Sequence, residues 1–188
     1  MTLRLVPGDL SLATIDALEV DAIAAFVGPE RPLQGLAGLV DWRLCGAISR
    51  AILSGTFVPE RGEAMLLPSA GRLPAPRVFC LGLASDGAEA REAAVRRACE
   101  VVAKAGARSV ALSLPSGGTG AAVARAFLEA ATRAGFSSHV LLGDGRAIAR
   151  DLQAAIREMK VDALVVPGVA RAEARGAASL PVRGPVVR

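Results

Sequence analysis

The sequence predicts a layered α/β domain, a sheet covered by helices on both faces. Three observations carry that prediction. Apolar runs of strand length alternate with stretches of helical period over most of the chain. Glycine and proline punctuate most of the junctions between them. Residues 109–134 then show a strand, a loop and a helix in direct succession. Val110, Leu112 and Leu114 alternate with small residues, and Ser116-Gly117-Gly118-Thr119-Gly120 interrupts the run. Val123, Ala124, Phe127, Leu128 and Ala131 follow at helical spacing, opposite Arg125, Glu129 and Arg133. Gly135 stands where a helix-terminating glycine is expected.

The other elements follow in chain order. Leu3-Arg4-Leu5-Val6 reads as a short strand closed by Pro7-Gly8-Asp9. Residues 20–27 form a nearly continuous apolar run, as a strand buried on both faces does. Between residues 36 and 53, Leu36, Leu39, Val40, Leu44, Ala47, Ile48, Ala51 and Ile52 line one face of a single helix, and Gly55 follows it. Residues 64–67 and 78–81 read as the arms of a hairpin around a Pro/Gly-rich turn. Asp86, with Glu89 three residues on, resembles a capping box. It would open a helix that buries Ala94, Val95, Ala98, Cys99 and Val102 and ends at Gly106. Residues 139–142 are a strand with His139 at its head, read as an ordinary surface or edge histidine. Gly143-Asp144-Gly145 is a turn, residues 147–159 a helix, and residues 161–166 a last apolar run. Residues 169–188 hold Ala, Gly, Pro and Arg without a period. They are expected to be a loosely held tail behind a domain of residues 1–168.

Composition narrows the function classes. The 188 residues suffice for one domain with its own core, and 52% hydrophobic with 21% charged residues is a globular balance. Aromatics make up 3% and Tyr is absent, so there is little surface on which bases could stack. The net charge of +4 is mild, and its arginines are spread along the chain, with lysine only at Lys104 and Lys160. A nucleic-acid partner is therefore not expected. Asp16, Glu19 and Asp21 interrupt the best early apolar stretch, so no membrane span is predicted. The first residues lack the basic and apolar regions of a signal peptide. Cys45, Cys80 and Cys99 are an odd number, set in apolar segments, and read as reduced core thiols of a cytoplasmic protein. With one histidine and no closely spaced cysteines, no metal site is predicted; no spacing suggests a catalytic triad or dyad, so no catalytic residue is assigned. The candidate ligand site is the loop Ser116, Gly117, Gly118, Thr119 and Gly120. Backbone N–H groups there, at the positive end of a helix dipole, suit a phosphate or carboxylate. A plain strand-to-helix turn is the alternative. Strand, glycine loop, helix, strand and then Asp144 also mimic a dinucleotide fingerprint, but Val123 occupies the place of its third glycine.

Two families resemble the chain. Asp41, then Gly46-Ala47-Ile48, then Ser54-Gly55-Thr56-Phe57 and Arg61-Gly62-Glu63-Ala64-Met65-Leu66-Leu67-Pro68 are similar to the amino-terminal domain of the leucyl aminopeptidases, as is Arg77-Val78-Phe79-Cys80-Leu81-Gly82-Leu83. Gly8-Asp9-Leu10, Val20-Asp21-Ala22-Ile23, Gly46-Ala47-Ile48-Ser49-Arg50-Ala51 and the loop after Pro115 resemble the macro domains that bind ADP-ribose. Both resemblances imply one architecture, a macro-like three-layer α/β/α domain with a central mixed, mostly parallel sheet. The first implies a stand-alone regulatory or assembly module without peptidase activity, because the metal-binding signature of the catalytic domain is absent. Its partners would be a second copy of the chain or a separately encoded peptidase subunit. The second implies ADP-ribose or a related nucleotide as ligand, with Asp9 meeting the adenine amino group and Ser116 to Gly120 wrapping the phosphates. Against it, the chain has no Asn, where ADP-ribose-acting macro domains usually carry one after the second strand.

Overall fold

The structure is a computed structural model and describes residues 2–84, 87–115 and 120–167. The strands are β1 (Leu3–Asp9), β2 (Ala22–Val27), β3 (Ala64–Pro68), β4 (Arg77–Gly82), β5 (Ser109–Ser113), β6 (Ser138–Gly143) and β7 (Ala163–Val165). The helices are α1 (Leu12–Asp16), α2 (Gly35–Arg43), α3 (Ala47–Leu53), α4 (Ala88–Lys104), α5 (Ala121–Ala134) and α6 (Gly145–Met159). The strands form one sheet in the order β3-β4-β2-β5-β6-β1-β7. Every recorded pairing is parallel except the antiparallel β3–β4 edge hairpin, with Leu66 opposite Phe79.

Period-two alternation sends the two sides of each strand into two cores. In β2, Ala22, Ala24 and Phe26 face a core shared with Val95 and Val102 of α4, Phe127 of α5 and Leu152 of α6. Ile23, Ala25 and Val27 face a second core built with Ile15 of α1, Leu36 and Val40 of α2 and Ile48 of α3. All six residues of β2 are buried, so an unbroken apolar run is the composition the position requires.

Four details differ from the sequence reading. The stretch 36–53 is two helices, not one. Cys45 and Gly46 take left-handed conformations, φ 54° and 78°, and turn the chain between α2 and α3. The apolar spacing runs on because both helices pack on the same sheet face. α1 was not anticipated; it is five residues long, with the Ser11 hydroxyl accepting from the Thr14 N–H. β1 continues through Pro7 to Asp9. Leu5 presents its carbonyl to Val166 beyond β7, and Pro7, two residues on, faces that same side where β7 has ended. Pro7 has no N–H with which to carry the pairing further, and the β1–β7 ladder ends there. Finally, α4 is capped at Gly87 with no side-chain bond, so Glu89 lies one place earlier than a capping box needs, and Asp86 lies outside the described residues. Gly106 and Gly135 do follow α4 and α5 in left-handed conformations, as expected. The tail of residues 169–188 also lies outside the described residues.

Candidate functional site

Parallel pairing brings the carboxyl ends of the central strands to one edge. Val27 lies opposite Gly82, Ser113 opposite Leu142, and Asp9 opposite Gly143. After β2 the chain leaves for the face covered by α1, α2 and α3. After β4 and β5 it leaves for the face covered by α4 and α5. Connections that part in this way open a crevice at the strand ends, the usual ligand position in such sheets. Here Phe26, Gly28, Leu83, Ser113 and Leu114 form its floor, with Glu30, Gln34 and Arg91 around it. The enclosed space is about 70 Å³. Gly28 makes room for Glu30: a Cβ there would stand 2.3 Å from the Glu30 Oε2. Sequence reasoning missed Glu30, Gln34 and Arg91. Nothing in their local pattern marks them, because only the sheet order brings them together.

The predicted site residues divide. Ser116, Gly117, Gly118 and Thr119 lie outside the described residues. Gly120 is the extended N-cap of α5, and its carbonyl accepts from the Ala124 N–H at 3.1 Å. Between Gly120, Leu114, Ile148 and Leu152 the free space is about 10 Å³, room for no more than one water. Asp9 ends β1, and its Oδ1 accepts from the Gly145 N–H at 3.1 Å. Its Oδ2 has no hydrogen bond among the described residues. Asp9 lies on the same sheet edge as the end of β5, two strands away, which is roughly 10 Å.

Other carboxylates are committed to backbone. The Asp41 Oδ1 accepts from the N–H groups of Ile48 (2.8 Å) and Ser49 (3.2 Å), and its Oδ2 from the Ser49 hydroxyl. It thereby caps α3 from α2. The Asp21 Oδ2 accepts from the N–H groups of Arg108 (2.8 Å) and Ser109 (2.9 Å), tying β2 to β5 at the opposite end of the sheet. Those two backbone bonds hold its carboxyl below the usual carboxylate range, against a small opposing effect of burial. Asp144 caps α6, its Oδ1 accepting from Arg146 and Ala147 at 3.0 Å each. A ribose-binding role in a dinucleotide fingerprint does not describe it.

His139 corrects the sequence reading outright. It is 1% exposed, because β6 lies between β5 and β1 rather than at an edge. Phe127 and Phe136 meet its ring edge-on, at centroid distances of 4.9 Å and 4.4 Å. Neither ring nitrogen has a hydrogen-bond partner among the described residues. Burial drives its pKa down to about 3, and the nearby Val110 backbone opposes that only in part. Of the thiols, Cys80 and Cys99 are buried and pushed up to about 12 by desolvation. Cys45, read as a core thiol, is exposed instead, with an Arg72 guanidinium nitrogen 2.9 Å from its sulfur. No group of three or more His, Cys, Asp and Glu among the described residues could hold a metal ion. No helix among them is long and apolar enough to cross a membrane.

The sequence pattern of the cytosol aminopeptidase family's N-terminal domain matches residues 24–142. This chain belongs to that family. The match takes in most of β2 through most of β6, hence the crevice and the Asp41 anchor, and it begins just after Asp21. No curated protein matches the sequence. Among solved structures, a mutant of tomato leucine aminopeptidase superposes with a TM-score of 0.55 and 18% identity, over 81% of this chain. The chain spans only 35% of that relative's length. A mutant macrodomain from Oceanobacillus iheyensis gives a TM-score of 0.59 and 18% identity, over 84% of this chain and 92% of that one. A Trypanosoma brucei macrodomain in complex with ADP-ribose gives 0.60 and 17%, over 82% and 69%. At these identities the likeness shows the fold, and the fold is macro-like.

Proposed function

We propose that this domain is a regulatory or assembly module of the cytosol aminopeptidase family, without peptidase activity of its own. The observation that supports this is the use of its carboxylates. Each of Asp9, Asp21, Asp41 and Asp144 accepts from backbone N–H groups at the start of an element: Asp9 and Asp144 at α6, Asp21 at β5 and Asp41 at α3. Metal-assisted hydrolysis needs several such donors converging on one open position. Carboxylates distributed over both ends of the sheet, each holding a strand or helix terminus, serve the fold instead. The partner implied is a separately encoded peptidase chain or a second copy of this one. We place it in the cytoplasm, where its three free thiols stay reduced. The test is hydrolysis of leucyl-p-nitroanilide with added zinc or manganese, together with light scattering of the domain alone and mixed with a leucyl aminopeptidase catalytic chain. The expected result is no turnover, with a complex or a dimer in solution. Chelator-sensitive turnover, or a strict monomer that ignores the catalytic chain, would refute it.

A second reading is a site for ADP-ribose or a related nucleoside diphosphate. It is favoured by the placement of Asp9 and the start of α5 along one sheet edge. In that reading the free Asp9 Oδ2 takes the adenine amino group, and Ser116 to Gly120 wrap the phosphates. Titration calorimetry decides it. ADP-ribose binding that Gly118→Glu abolishes supports the reading, and no heat at millimolar ligand removes it.

A further inference from the structure

We propose that the crevice at the ends of β2, β4 and β5 binds a free α-amino acid with an apolar side chain. The inference rests on the regulatory reading above and gives that module its signal. Two opposite charges face this one small space without meeting. The Glu30 carboxylate folds back over Gly28 and has no cationic partner among the described residues, while the adjacent Arg31 pairs with Glu60 at 3.5 Å. Arg91, in the first turn of α4, likewise has no acidic partner there; its neighbour Glu92 pairs with Arg96 at 3.3 Å.

An unpaired anion and an unpaired cation on opposite sides of a crevice call for a ligand that carries both charges. An ammonium group would lie toward Glu30 and a carboxylate toward the Arg91 guanidinium, a planar fork suited to it. Phe26, Leu33, Leu83 and Leu114 give the lining an apolar side that suits an aliphatic side chain, beside the neutral polar groups of Gln34 and Ser113. Size points the same way. A space of about 70 Å³ is that of a small ligand, far below the several hundred Å³ of pockets that take larger ones.

The experiment is calorimetry on the full chain with leucine, N-acetyl-leucine, leucinamide and ADP-ribose as titrants. Leucine should bind, and each analogue, lacking one charge, should bind at least about tenfold more weakly. Glu30→Gln should weaken leucine until it matches N-acetyl-leucine, and Arg91→Gln until it matches leucinamide. Circular dichroism checks that both variants remain folded. No heat from leucine or any other apolar amino acid overturns the inference, as does equal binding of the three leucine compounds. Binding of ADP-ribose but of no amino acid overturns it in favour of the nucleotide reading. Leucyl-p-nitroanilide hydrolysis, measured on the same sample, overturns the non-catalytic reading by a separate readout.

Discussion

His139→Leu should make this domain markedly less sensitive to mild acid. In the folded protein the imidazole is neutral down to about pH 3, because its charged form would be buried without a partner. In the unfolded chain it titrates near 6.5. The unfolded state therefore binds a proton that the folded state refuses, and stability falls as pH drops below 6.5. At pH 5 the loss relative to pH 8 is about 2 kcal/mol, set by the unfolded value and insensitive to where below 4 the folded value lies. At pH 8 the substitution itself changes little. It removes two unsatisfied buried nitrogens, a gain of about 1–3 kcal/mol, and loses two edge-on contacts of about 0.5–1.5 kcal/mol each. The slope therefore decides. Urea denaturation of both proteins at pH 8 and pH 5 should show the gap between them shift by about 2 kcal/mol in favour of the variant. Parallel pH profiles would refute the reasoning. So would an imidazole resonance titrating near 6.5 in the folded protein, where this histidine is the only one.

Three further outcomes follow from the same contacts. Asp41→Ala leaves the Ile48 and Ser49 N–H groups at the start of α3 without their acceptor. It should cost about 2–3 kcal/mol, measured by urea denaturation. Gly82→Ala would place a Cβ 2.3 Å from the Pro59 carbonyl oxygen and 2.7 Å from the Pro59 Cα. That backbone cannot yield cheaply, so thermal unfolding should show a loss above about 2 kcal/mol or no folded protein at all. A chromogenic disulfide reagent should titrate Cys45 alone in the native protein and all three thiols in denaturant, since Cys80 and Cys99 are buried and protonated.

Periodicity reveals which residues face a core, not which neighbours a strand will have. That division accounts for what was legible in the sequence and what was not. The unbroken run of β2 announced a strand buried on both faces, and Gly135 announced the end of α5, because local chemistry dictates both. His139 looked like an edge residue because nothing in its own segment shows that β6 is inserted between β5 and β1. The turn at Cys45 and Gly46 was hidden for a related reason. Two helices packed on one face keep a single apolar spacing, and only the remote Asp41 carboxylate shows that a new helix begins there.

The same logic locates the candidate site. The glycine loop attracted attention because its composition is unusual, and among the described residues of that segment Ser113, Leu114 and Pro115 line the crevice. Its charged groups come from the loop after β2 and the first turn of α4, on opposite sides of a point where successive connections take opposite faces of the sheet. Such a parting is a property of strand order, and it leaves a crevice whatever residues line it. Glu30, which is exposed, and Arg91 are the charged groups that line it, and neither has an ion-pair partner among the described residues. The carboxyl edge of the sheet is therefore the place to look for this domain's ligand, and the Glu30–Arg91 pair is the part of it to perturb first.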